Sequence, residues 1–186
     1  MARISFLAKE QTAPQMRERF QKMEDAGLRI LNLYKVMAHC PEVGLNFLRL
    51  GNAILFKGTI PPNLRELAIL RVGNIYQAKY EFTQHTPIAL RTGLKREQID
   101  DLCNWESSRK FSPQERAVLR YTDEVTKDIR VKDDTFAAVR SFLSEEGIVE
   151  LTTVIGYYGM VSRILEALQI ELEGRTQPGS EGQESS

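Results

Sequence analysis

The segment Glu66–His85 has the sequence ELAILRVGNIYQAKYEFTQH and says more about fold and function than any other part of the chain. Its residues favour helices, and two glutamates, Glu66 and Glu81, lie in otherwise apolar sequence. His85, one of two histidines, closes the segment. Because Glu81 and His85 are four residues apart, a helix places them on one face. Stability alone does not explain a carboxylate beside an imidazole in a helical core, so we expect a functional site here.

The length and charge of the chain limit its class. With 186 residues it can form one domain with a sizeable core. It has 25 basic residues (Lys and Arg) and 25 acidic ones, so its net charge is zero. A neutral protein lacks the basic surface that nucleic acid or an anionic membrane requires, and copies repel each other little. We therefore expect no nucleic-acid or membrane partner, and the charge does not oppose self-association.

The cysteines and the first residues indicate a compartment. Cys40 and Cys103 are 63 residues apart and belong to no CxxC or CxxxH pair. This argues against a zinc site or dithiol redox motif, and it is typical of a reducing environment. We expect both thiols to lie in the core or in a groove. The start, MARISFLAKEQ, has no apolar signal core, so we expect a cytoplasmic protein.

Proline and glycine divide the chain into helices. We find no alternating pattern of the kind a strand produces, so the predicted class is all-α. The predicted helices are 14–26, 28–38, 41–56, 64–77, 78–92, 95–105, 113–126, 133–144 and 148–170. One helical domain is predicted over 14–173, with an N-terminal arm at 1–13 and a disordered polar tail at 174–186. The last helix contains charged residues, which favours a buried helix over a membrane span.

Three helix ends have recognisable signals. Ser112, followed by proline and then Glu115 at the third position, predicts a capped helix start. Gly93 is predicted to follow a helix end, where glycine is favoured. Asn63 is a further candidate cap, with Glu66 three residues later as in a capping box.

A helical wheel places polar groups within the apolar face of residues 78–92. At about 100° per residue, Glu81 and His85 share a side with apolar side chains. That side also contains Ala78, Phe82, Ile88 and Ala89, and the other contains Lys79, Tyr80, Thr83, Gln84, Pro87 and Arg91. Glu66 shares a face with Gly73, which could leave room beside it. Burial raises a carboxylate pKa and a nearby carboxylate raises that of histidine, so the set suits acid–base chemistry.

Simpler interpretations of the same residues stay open. Glu–His pairs four residues apart also occur on ordinary helix surfaces. Glu66 could serve only as a capping residue. Arg65 and Arg71 flank the buried face and could pair with Glu66 or with a substrate carboxylate. Trp105 is expected to anchor the core. The pair Tyr157–Tyr158 is expected to pack there, and either hydroxyl could line a cavity.

At these residues the sequence resembles the carboxymuconolactone decarboxylase family, which includes the alkylhydroperoxidase D-like proteins. In the peroxidase branch, glutamate, eleven residues, Cys-x-x-Cys, three residues and histidine follow in order. Here Glu66 and His85 occupy the glutamate and histidine positions, whereas Ala78 and Glu81 replace the two cysteines. The chain is thus similar to the non-thiol branch. Flanking sequences that support the resemblance are 64–71, 89–94, 112–116, 149–151 and 156–160.

The resemblance implies an alkylhydroperoxidase D-like helical bundle with a central helical hairpin. It also implies a homo-oligomer (dimer, trimer or hexamer), a small-molecule substrate, an active site close to subunit contacts, and no metal or organic cofactor. The last helix departs from the family, because Glu166 stands where asparagine is common. A substrate pocket therefore cannot be transferred from other members.

Three functions are compatible with these features. The first is a cofactor-independent decarboxylase, a carboxy-lyase, or a related isomerase or lactonase, acting on a small lactone or keto-type acid. His85 would donate the proton, Glu81 would orient it, and Glu66 would be a second acid/base or relay. The second is an alkylhydroperoxidase-type peroxidase, which the lost cysteines oppose. The third is a non-catalytic oligomeric ligand-binding protein.

Overall fold

The computed structural model describes residues 2–174, and within them the chain forms helices and no strand. The α-helices of this part are α1 Pro14–Asp25, α2 Asn32–Met37, α3 Pro41–Phe56, α4 Pro62–Ile75, α5 Lys79–Arg91, α6 Arg96–Asp100, α7 Pro113–Lys127, α8 Asp133–Arg140 and α9 Glu145–Leu168. Short 3-10 helices occur at Lys9–Gln11 and Leu102–Asn104. The predicted all-α class is confirmed. The predicted disordered tail lies outside the described residues except for Gly174.

The chain folds into two compact units. The first comprises Met1–Leu48 with Ala167–Ser186, of which 2–48 and 167–174 are described. In it, the Asn32 amide donates to Glu173 Oε1 (2.7 Å), which joins α2 to the end of the described chain. The second unit comprises Arg49–Glu166 and contains every residue of the candidate site. One domain over 14–173 stays a prediction.

Helix α4 forms the centre of the second unit. Each of its residues from Leu64 to Gly73 is buried, so the helix has no solvent-facing side over this stretch. It packs against α5 and α7, as expected of a helix that is covered all round. Trp105 is 1% exposed and belongs to the adjoining core, as predicted. Helices α4 and α5 are joined by a short turn in which Gln77 has φ of 55°, and together they form the expected helical hairpin.

The structure confirms two of the predicted helix ends and corrects one. Ser112 Oγ accepts the Glu115 amide at the start of α7, and Glu115 Oε2 accepts the Ser112 amide (2.7 Å). Gly93 has φ of 102° just after the end of α5. The Asn63 cap is wrong, because α4 already begins at Pro62, where a missing amide hydrogen costs nothing. Glu66 lies inside the helix and is fully buried.

Helix α9 is long and mostly apolar. By length and composition it could cross a membrane, so its charged residues do not exclude a span. However, 56% of its apolar window is buried within the protein. A core helix meets the same criteria, and the contact of Tyr158 with the candidate site shows that α9 also covers that site.

Candidate active site

Glu66 lies on the buried helix α4, with its side chain completely excluded from solvent. Arg65, the preceding residue, is 7% exposed, and its Nε donates to Glu66 Oε1 at 3.2 Å. An ionised carboxylate in the core requires such a partner, because an unpaired charge there costs several kcal/mol. Arg65 and Glu66 therefore form a buried ion pair.

His85 projects from α5 and lies between two carboxylates. Its Nδ1 lies within hydrogen-bond distance of Glu66 Oε2, at 2.8 Å. Its Nε2 lies 3.4 Å from Glu81 Oε2, close enough for an ionic contact but without the alignment of a hydrogen bond. The structure thus brings the three predicted site residues together. It differs from the expectation in one respect, since Glu66 rather than Glu81 makes the hydrogen bond to the ring.

Glu81 is the least satisfied member of the group. It is 4% exposed, and its Oε2 is buried without a hydrogen-bond partner in the part of the chain that the structure describes. Burial raises the pKa of Glu81 above its ordinary value of 4.5; a charged His85 opposes this rise and the charge of Glu66 adds to it. A carboxyl group whose pKa is raised by burial can hold a proton that an exposed glutamate would have lost.

Helices α4 and α5 approach each other closely where Gly73 of α4 meets Glu81 of α5. A Cβ at Gly73 would lie 3.5 Å from the Glu81 Cβ, an ordinary contact distance. The glycine therefore lies beside Glu81 rather than beside Glu66 as predicted. Tyr80 was assigned to the polar side of the wheel but is 4% exposed, because α5 buries a wider face than its apolar residues alone indicate.

Helix α9 closes one side of the site. The Tyr158 ring meets the His85 ring edge-on, with centroids 4.9 Å apart and planes at 88°. Ser162 lies one turn further along α9, is 1% exposed, and its Oγ has no hydrogen-bond partner among the described residues. Ser162 was not predicted from the sequence, although its spacing of four from Tyr158 puts both on one helix face.

Other candidates from the sequence lie elsewhere. Arg71 does not reach Glu66, because its guanidinium pairs with both carboxylate oxygens of Asp123. Cys40 and Cys103 are exposed and free, so neither lies in the core, but Cys103 lines a surface pocket, as the groove alternative predicted. A free thiol is small and tolerates either environment. Among the described residues, no group of three His, Cys, Asp or Glu side chains is arranged to hold a metal ion.

Comparison with solved structures shows which fold this molecule has. An alkylhydroperoxidase AhpD core protein from Ralstonia eutropha JMP134, described as peroxidase-related, matches with a TM-score of 0.80 at 20% identity and covers 93% of each chain. The debrominase Bmp8 in complex with 2,3,4-tribromopyrrole matches with a TM-score of 0.76 at 22% identity, over 92% of this chain and 91% of that one. The protein therefore has an AhpD-like all-α fold.

The sequence comparison then gives a family match. Residues 41–124 match the carboxymuconolactone decarboxylase family. An uncharacterised Bacillus subtilis protein, YdfG, is 28% identical over 114 residues, which are 60% of this chain and 78% of that protein. A protein of unknown function from Agrobacterium tumefaciens is 27% identical, with a TM-score of 0.67 over 72% of this chain and 92% of that one. The family includes enzymes.

Proposed function

We propose that this protein is a cofactor-independent acid–base enzyme that decarboxylates a small lactone or keto-type carboxylic acid. The observation that carries the proposal is the contact of His85 Nε2 with the buried Oε2 of Glu81, which has no hydrogen-bond partner among the described residues. A buried carboxyl group with a raised pKa beside an imidazole is typical of acid–base catalysis. No thiol lies in this cluster.

The position of the protons follows from the partners of each group. Glu66 is paired with Arg65 and can only accept hydrogen bonds when ionised, so the proton between Glu66 and His85 belongs to Nδ1. Glu81 and His85 Nε2 then share one further proton. It lies on Glu81 when the imidazole is neutral and on Nε2 when Glu81 is ionised. Glu66 therefore orients the ring, and Glu81 with Nε2 supplies the proton, which exchanges the two roles predicted for the glutamates.

Decarboxylation uses that proton in its second half. The bond between the substrate carboxylate and the adjacent carbon breaks, carbon dioxide leaves, and the electron pair passes into an enolate or dienolate. The proton shared by Glu81 and His85 Nε2 is transferred to carbon, and the pair regains a proton from water. Related isomerisations or lactone hydrolyses would use the same groups. The debrominase complex supports a small-molecule ligand, because that protein of the same fold holds a tribromopyrrole.

The direct test is a screen of small lactone and keto acids for loss of carbon dioxide by mass spectrometry. Glu81→Gln and His85→Ala should abolish turnover while binding of the substrate persists, because neither change alters the apolar surroundings. Glu97→Gln is the matched control, since Glu97 is exposed on α6. The pH dependence of turnover should be bell-shaped. A flat profile between about pH 5 and 9 would exclude Glu81 and His85 as the acid–base pair.

Turnover by the wild type separates this proposal from a non-catalytic binding protein. In that case no acid in the screen is turned over, and ligand affinity is unaffected by loss of the carboxyl or the imidazole. A homo-oligomer and a cytoplasmic location remain part of the proposal. Light scattering on the purified full chain measures the first, and fractionation of cells that express it measures the second.

A further inference from the structure

We propose that Arg65 is a positioning residue that selects the tautomer of His85, acting through Glu66, and so leaves Nε2 as the reactive nitrogen. This inference rests on the acid–base function proposed above and adds to it the residue that controls the state of the imidazole. Arg65 pairs with one oxygen of Glu66 and His85 with the other, so the action of Arg65 on the ring passes through this carboxylate.

The first step is the contact between Arg65 and Glu66. Neighbouring residues on a helix point in different directions and do not normally meet. Here the Arg65 guanidinium nevertheless reaches the carboxylate of the next residue, at 3.2 Å, and both side chains are buried. The two charges stabilise each other where water cannot. In this ion pair Glu66 takes part as a carboxylate.

The second step passes from Glu66 to the ring. An ionised carboxylate accepts hydrogen bonds and donates none. One oxygen of Glu66 accepts from Arg65, and the other lies 2.8 Å from His85 Nδ1, so Nδ1 must carry a proton. A neutral imidazole has one N–H, and the nitrogen without a proton is then Nε2.

The third step concerns what faces Nε2. Within the described part of the chain, the imidazole contacts Glu66 from α4, Glu81 from the preceding turn of α5, and the Tyr158 ring from α9. Nε2 is the nitrogen beside Glu81 Oε2. The tautomer that Arg65 imposes is therefore the one in which a protonated Glu81 and the bare Nε2 can exchange a proton. In the other tautomer, two proton-bearing atoms would face each other at this contact.

Nitrogen-15 NMR of the two histidine rings tests this directly, without any substrate. His39 is an internal reference, because its Nε2 lies 2.9 Å from the Ser5 carbonyl oxygen, which can only accept. His39 should thus carry its proton on Nε2 and His85 on Nδ1, when both rings are neutral. The variant His39→Asn assigns the signals by removing one set.

The Arg65 variants provide the decisive comparison. In Arg65→Met the cation beside Glu66 is absent, and a neutral carboxyl group donates to Nδ1 instead of accepting from it, so the His85 Nδ1 resonance should move from the protonated to the unprotonated region. Arg65→Lys restores the charge and should restore the wild-type spectrum. Arg120→Met is the control, since Arg120 is exposed on α7. A wild-type His85 with its proton on Nε2 overturns the proposal, and so does an unchanged spectrum in folded Arg65→Met.

The NMR result is independent of the proposed reaction. If Arg65→Met does not fold, Arg65→Gln removes the charge with a polar side chain and takes its place in the comparison. If the tautomers are as expected but no keto or lactone acid is turned over, the positioning role stands and the proposed function fails. Where a substrate is found, Arg65→Met should lower kcat at least tenfold with little change in KM, because Arg65 acts on the state of the imidazole through Glu66.

Discussion

Replacing Glu81 by glutamine should make the protein more stable at alkaline pH and leave it nearly unchanged at acid pH. Burial raises the pKa of Glu81 in the folded state above its ordinary value of 4.5. Below that value both states hold the proton, so the carboxyl has no linkage to folding. Between 4.5 and the raised value, only the folded state holds it. Stability is therefore lost as the pH rises through this interval, and a glutamine, which does not ionise, removes that loss.

The magnitude follows from the environment of Oε2. This oxygen is buried and has no hydrogen bond among the described residues, so its charge is poorly compensated at high pH. A buried polar group without a partner costs on the order of 1–3 kcal/mol. For a chain of this length, about 1 kcal/mol changes Tm by roughly 2–4 °C. We therefore expect Glu81→Gln to raise Tm by about 2–12 °C at pH 8 and by much less at pH 4.

Circular dichroism melting at pH 4 and pH 8 measures this difference, at one protein concentration because self-association would change Tm. Glu97→Gln, which removes a charge in contact with water, should show the wild-type dependence on pH. The reasoning is refuted if Glu81→Gln and the wild type lose the same stability between the two pH values. It is also refuted if the glutamine variant is less stable than the wild type at pH 8.

Two further substitutions test polar contacts within the second unit, and one assay tests the thiol mechanism. Gly58→Ala should lower stability by about 1–3 kcal/mol in urea unfolding, because the new Cβ would collide with the Glu150 carboxylate and break the hydrogen bonds it accepts from the next two residues. Arg71→Leu should cost about 3–5 kcal/mol by the same measurement, because it leaves the Asp123 carboxylate without its main partner. Peroxide consumption with a thiol donor should be absent in the wild type, and Cys103→Ser should leave that result unchanged.

Each stability variant has a matched control in the same unit. Gly156→Ala places a Cβ in open space on α9 and should be nearly neutral. Arg120→Leu removes an exposed arginine from α7 and should change stability by less than about 0.5 kcal/mol. If Gly58→Ala is as stable as Gly156→Ala, the hydrogen bonds from Thr59 and Ile60 to the Glu150 carboxylate do not contribute to stability. Peroxide turnover that disappears in Cys103→Ser would restore the thiol mechanism.

The fold was readable from local sequence because helix ends depend on neighbouring residues. Ser112 with Glu115 marked the start of α7, and the observed cap uses both of them. The start of α4 was misread, because Asn63 and Glu66 have the spacing of a cap whether or not the chain uses it. There the fixed backbone of Pro62 decided where the helix begins.

The proximity of Glu81 and His85 was predictable, but the hydrogen bonds of the candidate site were not. Spacing along one helix places Glu81 near His85, whereas the bond from His85 to Glu66 depends on how α4 packs against α5. The same limit applies to Arg71, whose partner Asp123 is 52 residues away in sequence. Ser162 was missed for this reason too, since its burial depends on the contacts that α9 makes.

Charge balance explains how this cluster can move a proton while buried. The charges of Arg65 and Glu66 cancel, and the remaining pair is neutral when Glu81 holds the shared proton. Transfer of that proton to His85 Nε2 produces one negative and one positive charge about 3.4 Å apart, so the net charge of the cluster does not change. A buried site resists a change in net charge far more than a shift of charge between adjacent groups. Under the proposed function, glutamate at position 81 thus supplies an acid beside the histidine for proton transfer.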